Sequence, residues 1–189
     1  MDTKLMIQST PNPNALKFVL NVPVRNEGNV TYKKGDACEH NPLAKAIFEL
    51  SNFIKEVYFF DNYITVTQDG TADWEELEEK IRSTILEKIK DHDPNFKKEE
   101  AQHTVVASPV SSPEMEKINS ILDQTVRPAL QMDGGDIQLI EYSDNTLKVF
   151  YQGACGSCPS SAMGTLKAIE NILRDEFNPQ IAVELAENI

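Results

Sequence analysis

The sequence predicts an α+β protein, built as two small two-layer domains joined by a flexible linker, on three observations. Short runs alternate apolar and polar residues with period two, as half-buried strands do. Other runs place apolar residues at helical spacing behind capping residues. Between about Asp91 and Ser112 both periodicities stop, and Pro94, the charged Lys97-Lys98-Glu99-Glu100 and the small, polar Ala107 to Pro113 read as a linker. The expected divisions are an N-terminal domain at 1–93, a linker at 94–112 and a C-terminal domain at 113–189.

Leu5 to Gln8 forms a short strand, Pro11-Asn12-Pro13-Asn14 a turn, and Ala15 to Asn21 a second strand with Leu16, Phe18 and Leu20 on one face, a pair suited to a hairpin. Pro23 to Glu39 reads as loop, or as an irregular strand around Val30-Thr31-Tyr32. Asn41 caps a helix with Pro42 in its first turn and Leu43, Ala44, Ile47 and Phe48 on its apolar face. Strands Glu56 to Phe60 and Tyr63 to Thr67 follow, turned by Asp61-Asn62, with Val57, Phe59, Ile64 and Val66 on the packing faces. Asp73, with Glu76 three residues on, opens a helix striped by Trp74, Leu77, Ile81, Ile85 and Ile89. Trp74 is expected as a core anchor, and Cys38 as an isolated thiol in the loop before the first helix.

The second domain is expected in the order α-β-β-α-β. Ser111 or Ser112 caps a helix carrying Ile118, Ile121, Leu122, Val126 and Leu130, which ends at Met132-Asp133-Gly134-Gly135-Asp136. A strand with Ile137, Leu139 and Tyr142, a turn at Ser143-Asp144-Asn145, and the alternating Thr146 to Tyr151 come next. After Gly153-Ala154-Cys155-Gly156-Ser157-Cys158-Pro159-Ser160-Ser161, a helix carries Ala162, Met163, Leu166, Ile169, Ile172 and Leu173, and Ile181, Val183 and Leu185 make a last strand.

Chemistry concentrates at Cys155 and Cys158. The pair lies where a strand gives way to a helix that opens at Pro159, and the free amides and dipole of a helix N-terminus favour a thiolate. Thiolates two residues apart serve an iron–sulfur cluster, a zinc ion or a dithiol redox couple, and spacing alone leaves all three open. A tetrahedral ion or a cubane cluster takes about four protein ligands. The chain has three cysteines, and Cys38 and its three histidines lie far from the pair in sequence. One pair from each of two chains completes four ligands without long-range recruitment, so metal binding predicts a dimer.

The formal charge of −12, with no long run of Lys or Arg, argues against nucleic acid or an anionic membrane surface as partner. No stretch is long and apolar enough to span a bilayer. An odd cysteine count is unlike a secreted disulfide scaffold, and the N-terminal residues run into strand-like sequence rather than a signal or Arg-rich transit peptide. The expected compartment is a reducing cytoplasm.

Asp133-Gly134-Gly135-Asp136-Ile137, the Gly153 to Ser161 stretch, Thr165-Leu166-Lys167 and Ile169-Glu170 closely resemble the C-terminal domain of NifU-like (Nfu-type) iron–sulfur cluster scaffold and carrier proteins. Thr10 to Phe18, Pro42 to Phe48 and Tyr63 to Thr67 resemble the N-terminal domain these proteins often carry. The loop departs from the commonest family form in having Gly156-Ser157 between the cysteines. The resemblance implies that Cys155 and Cys158 ligate a [4Fe–4S] cluster shared between two protomers and passed to apo iron–sulfur proteins, with upstream cluster-assembly proteins as further partners and no enzymatic step. Asp133 and Asp136 match family positions and are assigned turn and cap roles. The alternatives are a dithiol oxidoreductase and a structural zinc-bridged dimer. Against the first, the expected element order lacks a thioredoxin-like β-α-β entry, and Pro159 follows the cysteines rather than separating them.

Overall fold

A computed structural model describes residues 3–97, 112–156 and 159–186. It divides into two compact units, Met1–His103 and Thr104–Ile189. The first contains β1 (Leu5–Ser9), β2 (Ala15–Leu20), β3 (Asn29–Lys33), α1 (Pro42–Leu50), β4 (Ile54–Phe60), β5 (Tyr63–Gln68) and α2 (Trp74–Lys88), which ends in a 3-10 turn at Ile89–Asp91. Its five-stranded sheet has the order β1-β2-β5-β4-β3, and the neighbouring strands are antiparallel. The irregular strand expected around Val30 is thus a regular edge strand.

The caps form as their side chains require. Asn41 Oδ1 accepts from the Ala44 amide at 3.1 Å and Asp73 Oδ1 from the Glu75 amide at 2.9 Å, each satisfying an amide the helix leaves open. Asp61 takes a positive φ of 44° in the β4–β5 turn, as a tight hairpin needs. Phe18, Val57, Phe59, Ile64 and Val66 join Leu43, Ile47, Leu77, Ile81 and Ile85 in one buried cluster between sheet and helices. Cys38 also belongs to it, and its Sγ donates to the Asp36 carbonyl at 3.2 Å. Trp74 is only partly buried at the margin, where its indole N–H donates to Pro13 O at 3.0 Å.

Two expectations are corrected here. The central strands are buried on both faces: Lys17, Tyr58, Tyr63, Thr65 and Thr67 are as inaccessible as the apolar residues opposite, and Lys17 Nζ sits 4.1 Å from the Tyr63 ring centroid. The segment from Pro94, expected as the start of the linker, is fastened to the first unit. Phe96 is buried edge-on against Phe59 with centroids 5.5 Å apart, and the Arg25 guanidinium lies 4.7 Å from its ring. Arg25 Nη1 donates to the Phe96 carbonyl, Asn26 N to Pro94 O at 3.1 Å, and His92 Nε2–H to Val24 O at 2.8 Å. A single aromatic anchor carries no periodicity, so the pattern gave no sign of it.

The second unit contains α3 (Pro113–Thr125), α4 (Arg127–Met132), β6 (Gly135–Ser143), β7 (Thr146–Gly153), α5 (Pro159–Glu176) and β8 (Ala182–Leu185). Ser112 is the cap of α3, accepting from Met115 N at 3.1 Å. The single helix expected there is broken at Val126, because Pro128 cannot supply an N–H to continue the ladder and instead enters the first turn of α4. Asp144 and Asn145, at φ 50° and 60°, turn β6 antiparallel into β7. β8 then pairs parallel to β7 on its other edge, giving the order β6-β7-β8. The β7–α5–β8 segment is therefore a β-α-β crossover, which the expected element order did not reveal, and its absence can no longer count against an oxidoreductase. Met115, Ile118, Leu122, Ile137, Leu147, Val149, Ile169 and Leu173 form the core.

Candidate thiol site

Two backbone junctions meet at the thiol. Gly134 follows α4 with φ 83°, the left-handed conformation that closes a helix, and its amide donates to Gln131 O at 3.2 Å. Gly153 ends β7 at φ 63°, paired across the ladder with Gly135. Ala154 N donates to Gly134 O at 3.2 Å and Gly156 N to Gly153 O at 3.1 Å, so the turn holding Cys155 is hydrogen-bonded to the turn that opens β6.

Cys155 is 9% exposed and packed into the second core. A Cβ built on Gly135 would lie 2.6 Å from its Sγ, 2.6 Å from Gln152 O and 3.0 Å from Cys155 N. Only a residue without a side chain leaves room for that sulfur. Tyr151, buried two residues before the turn, has its phenol pKa held above the ordinary value by burial first and by the Cys155 charge second, against a lowering hydrogen bond with Thr165. It stays protonated at neutral pH. Cys158 lies outside the described residues, and α5 begins at the next position, Pro159. Among the described residues no three His, Cys, Asp or Glu side chains converge to hold an ion.

Asp133 is a turn residue, as expected, closing α4 with its amide on Ala129 O. Asp136 is not a cap. Its carboxylate is 3% exposed within β6, where Oδ1 accepts from Ile137 N at 2.7 Å and meets Arg127 Nε at 3.3 Å, and Oδ2 accepts from Gln131 Nε2 at 3.4 Å. Gly135 and Arg127 are the site residues that sequence reasoning missed. The doubled glycine was the available signal, since one glycine suffices to close a helix.

Both parts of the chain resemble known families. Residues 5–92 match the family model described as "Scaffold protein Nfu/NifU N terminal", and residues 118–184 match "NifU-like domain". A human protein named "NFU1 iron-sulfur cluster scaffold homolog, mitochondrial" is 32% identical over 171 residues, covering 90% of this chain and 66% of its own. A Drosophila persimilis protein of the same name is 30% identical over 90% of this chain and 60% of its own. "NifU-like protein 4, mitochondrial" of Arabidopsis thaliana is 31% identical over 89% and 61%. This chain thus spans about three-fifths of the length of the curated relatives it matches. A solution NMR structure of a NifU-like protein from Saccharomyces cerevisiae aligns with a TM-score of 0.46 at 22% identity, over 51% of this chain and 86% of that one. The cytoplasmic placement expected from the sequence is overturned by these relatives, whose names are mitochondrial.

Proposed function

Because this chain belongs to the Nfu/NifU family of scaffold proteins, we propose that it carries a [4Fe–4S] cluster as cargo between two protomers. Each protomer contributes Cys155 and Cys158, and the cluster is handed on to apo iron–sulfur proteins. The observation that carries this is the Cys155 sulfur seated against Gly135. A thiolate fits iron–sulfur chemistry, and the seat fixes its direction before any metal arrives. Two ligands per chain leave the set of four half complete, which makes the site a property of the dimer. Ligands divided between chains also permit stepwise replacement by an acceptor's thiolates. No bond of an organic substrate is made or broken, so the role is that of a carrier, with cluster-assembly proteins upstream and apoproteins downstream.

Anaerobic reconstitution with iron and sulfide tests it, reading visible absorption, bound iron and sulfide, and mass by gel filtration before and after. The expected result is about four irons and four sulfides per two chains with a shift to dimer, lost in Cys155→Ser and in Cys158→Ser. A colourless monomer that cycles between dithiol and disulfide would replace this function with the oxidoreductase reading, and stoichiometric zinc would replace it with a structural dimer.

A further inference from the structure

Asp136 sits one residue beyond the glycine that receives the Cys155 sulfur, and its carboxylate is removed from water. Arg127 makes that burial tolerable. Its Nε faces Asp136 Oδ1 at 3.3 Å, Nη2 donates to Ile137 O at 3.0 Å, and Nη1 donates to Asp123 Oδ1 at 2.6 Å. One guanidinium thus ties the end of α3 and the start of α4 to the first residues of β6. A buried ion pair is a poor device for stability, because apolar residues of similar volume commonly serve as well or better. It does fix direction: hydrogen bonds from Nη1 to Asp123 and from Nη2 to Ile137 O set the planar guanidinium, whose Nε edge then faces Asp136 as an ion pair outside hydrogen-bonding geometry.

We propose that Arg127 and Asp136 are positioning residues for the thiol site: together they hold the Gly134–Gly135 segment at the depth that seats Cys155. The route is short. Asp136 is anchored by Arg127 and Gln131, Gly135 precedes it, and Gly134 O receives the Ala154 amide beside the cysteine. Gly135 is paired with Gly153 on the same ladder. Releasing the anchor frees both strands' ends at the point where the sulfur lies. Arg127 and Asp136 themselves ligate nothing.

The inference rests on the carrier reading for its cluster readout, and a second readout is independent of it. The full chain would be compared with Asp136→Asn, Arg127→Lys and the apolar double variant Arg127→Met/Asp136→Leu, which fills the space without a buried charge. In the metal-free proteins, alkylation at Cys155 is timed by tandem mass spectrometry, with circular dichroism and thermal unfolding as checks on the fold. In the reconstituted proteins, the lifetime of the visible cluster absorption toward a chelator is measured. The expected result is a double variant that unfolds as the unaltered chain does, alkylates faster at Cys155 and loses its cluster roughly tenfold to a hundredfold sooner, the range typical of second-layer partners of metal ligands. Arg127→Lys, keeping charge without the fork, should fail to restore either property. A folded double variant with unchanged alkylation and cluster lifetime overturns the proposal. If no chain takes up a cluster, the carrier function falls while the alkylation rates still decide the positioning role.

Discussion

Replacing Gly135 by Ala is the sharpest perturbation of the thiol site. Gly135 is outside the left-handed region, so alanine meets no backbone penalty there and the whole effect is steric. Its Cβ would stand 2.6 Å from both Cys155 Sγ and Gln152 O. Non-bonded carbon contacts are comfortable near ~3.5 Å, so about 1 Å must be recovered on each side. Gln152 O is backbone in β7, leaving the cysteine turn as the part that yields. Overpacking of this kind costs about 1–3 kcal/mol. At ~2 kcal/mol, a unit of this size should lose roughly 8–16 °C in unfolding midpoint. Circular dichroism sees both units, whereas the single tryptophan, Trp74, reports the first alone, so the two transitions can be separated. The dichroism midpoint of the second unit should fall with the Trp74 transition unchanged, and Cys155 should alkylate several-fold faster. An unshifted midpoint together with unchanged alkylation would refute the steric account of the seat.

Asn41→Ala removes both the cap on Ala44 N and a contact from Nδ2 to Tyr32 Oη at 3.4 Å; a loss of about 1–2 kcal/mol is expected in denaturant unfolding followed at Trp74. Gly164→Ala places a methyl in open space within α5 and should raise the second unit's stability by about 0.5–1 kcal/mol, measured as a higher unfolding midpoint. Burial holds the His92 pKa below its ordinary 6.5, so the folded state resists protonating it. Its stabilising contribution is therefore complete above about pH 6.5 and is lost as pH falls from there through the folded value, which urea titrations across that range should show and His92→Gln should flatten.

Much of this was legible where the cause is local. Asn41 and Asp73 cap their helices through the next turn of chain, and Asp61 and Asp144 turn their hairpins by their own dihedrals. What stayed hidden depends on distant residues. The break at Val126 was readable in Pro128, but a continuous apolar stripe from Ile118 to Leu130 masked it. Lys17 and Tyr63 look solvent-facing by alternation, and burial of the sheet's second face is a tertiary fact. Asp136 resembles one more turn acid until Arg127, nine positions earlier, comes to meet it. At the thiol, chemistry made Cys155 a candidate, whereas the need for Gly135 opposite it arises only once β6 and β7 are in register.

The crossover has a consequence for how the chain is made. β7 finds β6 through a tight turn as soon as both are synthesised, yet its other edge stays open until Ala182–Leu185 have been added and α5 has folded back. Over that interval the strand leading to Cys155 presents unpaired amides and carbonyls, the kind of edge on which chains associate. A nascent chain halted before residue 182 would display that edge together with the thiol, and holding it apart from other chains then falls to whatever meets it at the ribosome.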